Sequence, residues 1–380
     1  MQPLTQQSIV DGIYDLHVER RKHEPRRNYL GGSTLGSPCD RQLWYGFRKA
    51  EQSEFDGRIL RLFETGHREE DRMVKELQAL GMEVLPVNPA TGRQWEVTAI
   101  GGHVLGHFDG LVRGVPDAPT KWHLLETKTS NKKGFKRLAY ALCGSCNKRV
   151  SLKDGRCPRC DGDFVEPPRG VEKVKPIHYA QMQTYMGLSR AKWDEWGLDG
   201  EPPSAALYLV HCKNDERLYA ERVRFDEAFF LDLGRKAKGI IEAAEPPERI
   251  AFTSDYYLCR WCDFSDICHH GAVPRVDCRT CAHSTPRTDT EGGLWWCERQ
   301  DGLIPDDLLT GACPDHLYIP PLLSSLGSVV DYDTPSTSDG CDIDWIEYSD
   351  DEGVRLKNVT LAHPADGLTS WQLRDGKGAA

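Results

Sequence analysis

The sequence predicts an α/β protein, in which helices and short strands alternate along most of the chain. Segments with apolar residues at helical spacing are separated by shorter segments with the alternating pattern of strands. The 380 residues are 39% hydrophobic and 28% charged, an ordinary balance that allows a full hydrophobic core. This composition excludes collagen, a coiled coil and wholesale disorder. At about 150 residues per domain, the length indicates one large domain with additions or two to three smaller domains.

Helical periodicity predicts four main helices, and the second of them has the clearest pattern. Its apolar stripe is expected to bury one face, and Gly81 is expected to end it. The stripe consists of Ile59, Phe63, Gly66, Val74 and Leu77. A further short helix is expected after Ser37-Pro38-Cys39-Asp40. The four main helices are predicted at residues 8–27, 58–80, 177–188 and 226–242.

Strand patterns predict two hairpins between these helices. Turn residues at 116–119 join the strands of the first hairpin. The strands are predicted at residues 84–100, with a turn inside, and at 103–113, 122–128, 205–212 and 219–225. A short β-like segment is expected near residues 345–358, after an acidic linker.

Two carboxylates and a lysine lie at the ends of the first predicted hairpin. Glu126 and Lys128 share one face of their strand because strand side chains alternate, and folding the hairpin brings Asp109 opposite Glu126. Carboxylates this close repel each other unless a cation lies between them, and oxygen ligands favour Mg²⁺ or Mn²⁺. The alternative is two exposed strand ends with scattered charges, because Glu-x-Lys alone is common on surface strands.

His67 and the pair Gln181 and Tyr185 each have an ordinary and a functional interpretation. His67 follows Phe63 by four residues and precedes Val74 by seven, so we expect it to point toward the core. Most histidines in that position are simply hydrogen-bonded, but this one could complete the ligand set of a metal. Gln181 and Tyr185 are one helical turn apart, which is typical of packing but could also orient the lysine or a phosphate.

Together these residues resemble the RecB-like branch of the PD-(D/E)xK nuclease superfamily. The matching elements follow the family's order between about residues 33 and 268, and they are Gly66-His67, Gly106-x-x-Asp109-Gly110, Glu126-x-Lys128 and Gln181-x-x-x-Tyr185. The resemblance implies a restriction-endonuclease-like core, with a mixed central sheet flanked by helices. Phe108 departs from the family by replacing the proline of the motif's name.

The resemblance also implies a role for each matching residue. The ligands of Mg²⁺ or Mn²⁺ would be His67, Asp109, Glu126 and the carbonyl group of Thr127. Lys128 would position or activate the attacking water, and Gln181 and Tyr185 would support the site.

The first of three cysteine groups combines one early and three late residues. Cys39 precedes Cys259-x2-Cys262-x5-Cys268 by 220 positions. This arrangement resembles the iron–sulfur staple of RecB-like nucleases, which CRISPR-associated adaptation nucleases and AddB-type helicase–nucleases share. The resemblance implies a 4Fe–4S cluster, and closing so long a loop would stabilise the fold by about 4–5 kcal/mol. A zinc site completed by His269 or His270 is the alternative.

The other two cysteine groups indicate zinc. Cys143-x2-Cys146-x10-Cys157-x2-Cys160 has the spacing of a zinc ribbon, inserted between the Lys128 strand and the Gln181 helix. A purely structural ribbon is the simpler interpretation, and contact with DNA phosphates is the functional one. The looser group Cys278-x2-Cys281-x15-Cys297-x15-Cys313 indicates a second structural zinc, in which His283 or His316 could replace one ligand. The neighbouring Trp295 and Trp296 are expected to form its small core, with base stacking as the alternative.

The net charge of −10 is distributed unevenly. Residues 329–352 contain nine acidic residues and no Lys or Arg, whereas residues 128–175 contain 13 Lys or Arg and five Asp or Glu. A basic segment beside an acidic tail is compatible with a nucleic-acid partner. The sequence has neither a span of about 18 apolar residues nor a signal pattern at its start. We therefore expect a cytoplasmic protein, with cysteines that bind metals rather than form disulfides.

These observations predict a metal-dependent DNA nuclease, most simply an exonuclease that acts on DNA ends in recombination, replication or repair. The expected partners are DNA, single-stranded or with free ends, and a recombinase, a single-strand-binding protein or a helicase, but no membrane. The length and the zinc modules are similar to those of phage-encoded nucleases, which work in the cytoplasm of a bacterial host. A CRISPR-adaptation-type nuclease and a non-catalytic zinc and iron–sulfur DNA-binding scaffold are the alternatives.

The predicted domain organisation has three parts. They are a nuclease domain at residues 1–270 with the ribbon inserted at 140–165, a zinc-binding module at 271–320, and an acidic linker with a β-like tail at 321–380.

Overall fold

The computed structural model describes most of the chain. The described residues are 6–24, 27–52, 54–136, 138, 140–143, 145, 149–151, 160, 164–165, 174–332, 343–360 and 367–375. No helix within these ranges combines the length and the apolarity that a membrane span requires.

The described residues form a mixed α/β structure. The helices are α1 (Gln6–Lys22), α2 (Asp40–Phe47), α3 (Gly57–Ala79), α4 (Lys132–Lys136), α5 (Pro176–Trp196), α6 (Glu227–Glu242), α7 (Ser265–His269), α8 (Asp306–Leu309) and α9 (Ser370–Arg374). Short 3-10 helices occur at Cys278–Thr280 and Pro320–Leu326.

The strands alternate with these helices. They are β1 (Leu30–Gly31), β2 (Glu83–Leu85), β3 (Trp95–Ala99), β4 (Val104–Phe108), β5 (Gly110–Arg113), β6 (His123–Ser130), β7 (Tyr140–Cys143), β8 (Arg149–Ser151), β9 (Phe164–Val165), β10 (Ala205–Cys212), β11 (Leu218–Arg224), β12 (Ser284–Pro286), β13 (Trp295–Cys297), β14 (Gly302–Ile304), β15 (Ser328–Tyr332), β16 (Trp345–Ser349), β17 (Arg355–Val359) and β18 (Leu368–Thr369).

Most predicted elements are confirmed, and two differ in an instructive way. The strand predicted at 103–113 is interrupted at Asp109, because Gly110 has a φ of 152° and starts a separate strand, β5. The helix predicted at 177–188 continues to Trp196 and ends where Gly197 adopts a left-handed φ of 63°.

The chain divides into two compact units that are discontinuous in sequence. The first contains the described residues of Met1–Arg26, Phe55–Val97 and Gly106–Gly234. The second contains those of Arg27–Glu54, Thr98–Leu105 and Arg235–Ala380. In this division the segment around α2 groups with residues beyond 235.

The first unit is built around a five-stranded sheet with the order β11-β10-β6-β5-β2. Its central pair, β6 and β10, is parallel, and its other pairs are antiparallel. Side chains alternate between its two faces, so Leu124 packs with Met182 and Met186 of α5 while Leu125 packs with Val74 and its neighbours on α3. The sheet is therefore covered by α5 on one face and by α3 on the other.

The second unit consists of smaller sheets and short helices. Strands β12, β13 and β14 form an antiparallel sheet, and β15 to β18 form a four-stranded one. At its centre Trp295 is fully buried, with its ring 5.2 Å from that of Phe47 and 5.1 Å from the guanidinium group of Arg48. Burial confirms that Trp295 belongs to a core, and it excludes stacking of this ring on bases.

Candidate active site

The register of β5 and β6 places Asp109 beside the centre of β6. Gly110 lies opposite Leu125, so the preceding residue, Asp109, falls next to Glu126 and Thr127. Asp109 Oδ2 accepts a hydrogen bond of 2.7 Å from the backbone N–H of Thr127 and one of 2.8 Å from its Oγ1. The position of Asp109 beside Glu126 agrees with the sequence prediction, and the two hydrogen bonds from Thr127 fix its carboxylate.

Glu126 and Lys128 form an ion pair on one face of β6. Glu126 is fully buried, and its Oε1 accepts a hydrogen bond from Lys128 Nζ, while the lysine side chain remains 27% exposed. Glu126 Oε2 is also buried, and no described residue donates a hydrogen bond to it. A buried carboxylate oxygen without a partner is costly, so this atom marks a position where a cation or another donor would be stabilising.

Glu70 on α3 adds a third carboxylate that the sequence analysis missed. Burial, together with the nearby Asp109, Asp71 and Glu126, raises the pKa of Glu70 to about 8. The helical spacing could have predicted this position, because Glu70 precedes the buried Val74 and Leu77 by four and seven residues on one face of α3. The described edge of the sheet therefore gathers Asp109, Glu126 and Glu70.

The electrostatics of this edge indicate a shortage of positive charge. Burial, and to a lesser extent Asp109, raises the pKa of Glu126 to about 7 despite the opposing effect of Lys128. Burial alone would lower the pKa of Lys128, but Glu126 and Asp109 outweigh it and raise the pKa. Glu70 and Glu126 therefore hold their protons near neutral pH, and a divalent cation bound between them would stabilise their ionised forms.

One face of α5 borders the ion pair. His178, Gln181 and Tyr185 follow one another at helical spacing, and Gln181 and Tyr185 are both buried. Tyr185 belongs to the hydrophobic core and packs against Gly106, where a Cβ atom would collide with its ring. Packing is thus established for Tyr185, whereas a role in chemistry stays a prediction.

His178 is a second neighbour that the sequence analysis missed. Its Nδ1 lies 2.7 Å from the hydroxyl group of Tyr208, which is opposite Glu126 in the register of β10 and β6. Burial, followed by the charges of Lys128 and Lys175, lowers the pKa of His178 to about 3. A neutral imidazole is therefore held on the Lys128 side of the sheet.

The expectation that His67 points toward the core is wrong. His67 is exposed, as is Phe63, whereas Val74 and Leu77 on the same stripe are buried. At that end of α3 the buried residues are Gly57 and Leu60 rather than His67 and Phe63, and Gly57 lies against Tyr14 of α1. The proposed role of His67 as a metal ligand is not tested by this exposure.

The second unit brings the four cysteines of the first group to one cavity. Cys39, Cys259, Cys262 and Cys268 line a cavity of about 20 Å³, together with Tyr45 and Phe264. Cys39 is the N-cap of α2, and its Sγ accepts a hydrogen bond from the backbone N–H of Gln42 at 3.4 Å. Burial and the neighbouring Cys268 and Cys39 raise the pKa of Cys259. Residues 220 positions apart thus share one site.

The third cysteine group is also gathered in the second unit. Burial raises the pKa of Cys278 and of Cys281 to about 12, and Cys313 contributes to both shifts. Cys297 lies on β13 and also acts on Cys278. His316 Nε2 lies 3.2 Å from Thr280 Oγ1, and His283 is also buried in this unit. The replacement of one thiol by either histidine therefore stays a prediction.

The ribbon prediction falls largely outside the described residues. Cys146 and Cys157 are not among them, Cys143 ends β7, and Cys160 is exposed. Across the ranges that the structure describes, no three His, Cys, Asp or Glu side chains stand in the arrangement of a ready metal site. The predictions of bound metals therefore rest on the types of donor atoms present and on their burial, and not on a preformed coordination geometry.

Comparisons with known proteins give only distant likenesses. No protein-family model matches the chain, and no curated protein matches it. The crystal structure of SSO0001 is 15% identical, with a TM-score of 0.35 over 68% of this chain and 95% of that chain.

Two further crystal structures are of the alkaline exonuclease LHK-Exo. The structure of LHK-Exo from Laribacter hongkongensis is 13% identical, with a TM-score of 0.34 over 56% of this chain and 86% of that chain. The structure of LHK-Exo in complex with dAMP is 12% identical, with a TM-score of 0.33 over 60% of this chain and 89% of that chain. At these values the chain's own residues, and not the likeness, define the site.

Proposed function

We propose that the chain is a divalent-metal-dependent nuclease that hydrolyses phosphodiester bonds in DNA, with its active site at the Glu126 edge of the sheet. One observation carries the proposal. Glu126 is fully buried, with one oxygen bonded to Lys128 and the other without a described partner. A structural ion pair gains nothing from such an oxygen, whereas a cation-binding site requires one.

The residues present fit a hard divalent cation. Asp109, Glu126 and Glu70 offer only oxygen atoms, which Mg²⁺ and Mn²⁺ prefer. The Thr127 carbonyl and His67 complete the ligand set that the resemblance to RecB-like nucleases implies. A bound cation supplies Lewis-acid stabilisation of the phosphate charge and lowers the pKa of a water molecule.

The chain's own groups have separable roles in this proposal. Thr127 fixes Asp109 through two hydrogen bonds, so this carboxylate is oriented before any ligand binds. Lys128 remains protonated and partly exposed, which suits it to hold the attacking water or a phosphate oxygen. Gln181 lies on the same face of α5 as His178, and would support the lysine.

We further propose that the cysteine groups bind metals. Four cysteines that line one cavity support a bound metal at Cys39, Cys259, Cys262 and Cys268, and the resemblance to RecB-like nucleases favours a 4Fe–4S cluster over zinc. The gathered thiols of Cys278, Cys281, Cys297 and Cys313 support a structural zinc. A second zinc at Cys143, Cys146, Cys157 and Cys160 is supported by spacing alone.

The preference for DNA ends, and a role in recombination, replication or repair, are supported only by the resemblance of the motifs. The same holds for partners such as a recombinase, a single-strand-binding protein or a helicase, and for a phage origin with a place in the host cytoplasm.

The test is a cleavage time course with anaerobically purified protein and Mg²⁺ or Mn²⁺. The substrates are end-labelled linear single- and double-stranded DNA and covalently closed circles. Lys128→Ala is compared with Lys121→Ala, which removes an exposed lysine just before the start of β6. We expect shortened linear DNA, intact circles and an inert Lys128→Ala variant, with the label position giving the polarity.

Two results would contradict the proposal. Cleavage by Lys128→Ala at the rate of Lys121→Ala would remove Lys128 from the mechanism. Wild-type protein that binds DNA but leaves every substrate intact would favour the scaffold alternative. Iron analysis and a visible absorbance spectrum test the cluster separately, because a colourless, iron-free protein does not contain it.

A further inference from the structure

Four exposed lysines surround the end of the strand that carries Glu126 and Lys128. Lys132, Lys133 and Lys136 lie on α4, which starts two residues after β6 ends, and Lys213 follows the last residue of β10. We call these four residues the lysine surface. Because β6 and β10 are parallel, their carboxyl ends meet at one edge of the sheet, and Lys128 lies near that edge.

The lysine surface is held in place by its own buried anchors. Phe135 is 3% exposed and belongs to the core on the α5 face of the sheet, which fixes α4 against the sheet. The backbone N–H of Lys132 donates to Asn214 Oδ1 at 2.8 Å, and that of Lys213 donates to the carbonyl oxygen of Ser130 at 3.0 Å. These two bonds tie α4 to the β10–β11 turn, so the lysines stay together.

The lysine surface is poorly neutralised. Within the described part of the chain, Lys132 has Asp215 at 3.9 Å, and the other three lysines have no carboxylate within 4.0 Å. Asp215 already accepts two hydrogen bonds from Arg217, of 3.0 and 2.9 Å.

Five lysines elsewhere in the described part of the chain are paired with carboxylates, whereas Lys75 is exposed without such a pair. These pairs are Lys22–Glu19, Lys121–Glu201, Lys192–Glu195, Lys236–Asp40 and Lys238–Glu242. In a protein with a net charge of −10, uncompensated lysines concentrated beside buried carboxylates favour an anionic ligand over a merely solvated surface.

We propose that the lysine surface binds the phosphodiester backbone of a DNA strand where that strand passes the Glu126 edge. The proposal rests on the proposed nuclease function and adds the path of the substrate to it. Each exposed lysine can neutralise one phosphate and release its counterion, without reading the base sequence. Binding here would place the neighbouring phosphate near Lys128, at the end of the same strand.

The experiment compares two triple variants of the full chain. Lys133→Gln, Lys136→Gln and Lys213→Gln remove three charges from the lysine surface. Lys121→Gln, Lys192→Gln and Lys238→Gln remove three lysines elsewhere that are paired with carboxylates. Binding of a fluorescein-labelled single-stranded oligodeoxynucleotide is measured over a range of salt concentrations, with Ca²⁺ replacing Mg²⁺ to suppress cleavage. Thermal melting checks that both variants are folded.

We expect the slope of log affinity against log salt to become shallower by about 2 in the first triple variant, at about 0.7 for each phosphate that is no longer neutralised. The second triple variant should keep the wild-type slope. Replacement of the same three lysines by arginine should also keep it, because charge rather than shape is required. With Mg²⁺, the first variant should raise KM and leave kcat at saturating DNA near the wild-type value.

Equal slopes in the two triple variants would overturn the proposal, and so would failure of the wild-type chain to bind the oligodeoxynucleotide. The two proposals fail in different ways. If the wild-type chain cleaves DNA but the slopes of the two triple variants are equal, the proposed nuclease function stands and the proposed role of the lysine surface is wrong. A chain that never cleaves, but whose slope falls in the first variant, keeps the lysine surface and loses the nuclease.

Discussion

The carboxylate edge of the first unit and the cysteine groups of the second unit assemble reactive side chains in opposite ways. Asp109, Glu126, Thr127 and Lys128 come from one hairpin, in which Thr127 donates to Asp109 and Lys128 donates to Glu126. Cys39 and Cys259 come from segments 220 residues apart and have thiols whose neighbours are other thiols. Strand register brings Asp109, Glu126 and Lys128 together, whereas the cysteines of the second unit meet only through the tertiary fold.

This difference shows which property of each site would depend on a bound metal. At the carboxylate edge, a cation would change reactivity but not the position of Asp109, which backbone hydrogen bonds already fix. At the cysteine groups, a metal would ionise the thiols and cross-link distant segments, so it would contribute to folding itself. Substitutions should therefore separate activity from stability in the first unit and join them in the second.

The largest expected effect is on stability, from Cys259→Ser. If the four thiols hold a cluster, this change should release the iron and lower the free energy of unfolding by about 4–5 kcal/mol, as expected for the loss of a cross-link over a long loop. Urea unfolding and iron analysis under anaerobic conditions measure both. Cys212→Ala is the control, because Cys212 is buried in β10 outside the cysteine groups. If the two variants lost equal free energy of unfolding and both retained iron, the contrast between the cysteine groups and the carboxylate edge would be wrong.

Glu126→Gln should show the reverse pattern. Cleavage should fall by about a thousandfold, since the charge at the centre of the site is lost. Stability in EDTA should not fall, because burial raises the pKa of Glu126 to about 7 and the folded state therefore favours the uncharged form. The protonated carboxyl group of Glu126 stabilises the folded state, and this contribution is lost as the pH rises from about 4.5 through about 7. Glutamine does not titrate, so the variant should not lose stability over this range.

The measurement is urea unfolding of metal-free wild type and Glu126→Gln at about pH 8, together with the cleavage rate. Lower stability of the variant by several kcal/mol would mean that the ion pair, rather than burial, dominates at Glu126. The carboxylate edge would then resemble the cysteine groups in linking function to folding.

Gly106→Ala tests how the carboxylate edge depends on α5. The new Cβ atom would collide with the ring of Tyr185, so we expect a loss of about 1–3 kcal/mol in unfolding free energy and a lower cleavage rate. Gly66→Ala is the matched control, because its Cβ atom would meet nothing within 4 Å on the helix α3. That variant should gain up to about 1 kcal/mol. Equal thermal melting of the two variants would contradict the packing of Tyr185 against β4.

The smallest expected effect near neutral pH is a pH dependence of stability in the second unit. His316 is buried, and burial lowers its pKa to about 3. Because the unfolded histidine titrates near 6.5, the neutral imidazole contributes stability that is present above about pH 6.5 and is lost as the pH falls, by about 1.4 kcal/mol per pH unit. His316→Gln should flatten the curve of unfolding free energy against pH, whereas His23→Gln, at an exposed residue, should not. An unchanged curve in His316→Gln would assign the acid sensitivity to other groups.

The sequence predicted what depends on local periodicity. The alternation of β6 places Glu126 and Lys128 on one face, and the hairpin turn brings Asp109 alongside, as the structure confirms. Those relations involve residues close in sequence, so the strand period is sufficient to derive them.

The sequence could not predict contacts that depend on where two elements meet. The helical period placed His67 on one stripe with Val74 and Leu77, but it could not show which part of that stripe the rest of the fold buries, and His67 is exposed. Glu70 acts on Asp109 only because α3 packs across the sheet, and His178 meets Tyr208 only because α5 covers the other face.

The parallel pairing of β6 with β10 has a consequence for the evolution of this chain. Parallel neighbours cannot be joined by a tight turn, so the chain must leave the sheet after β6 and return before β10. The segment with the CxxC pairs lies within this excursion, between α4 and α5. The part of the excursion between α4 and α5 can lengthen, shorten or be exchanged as a cassette, provided that α5 keeps its place on the sheet. A lineage could therefore acquire a new accessory module here and keep its chemistry.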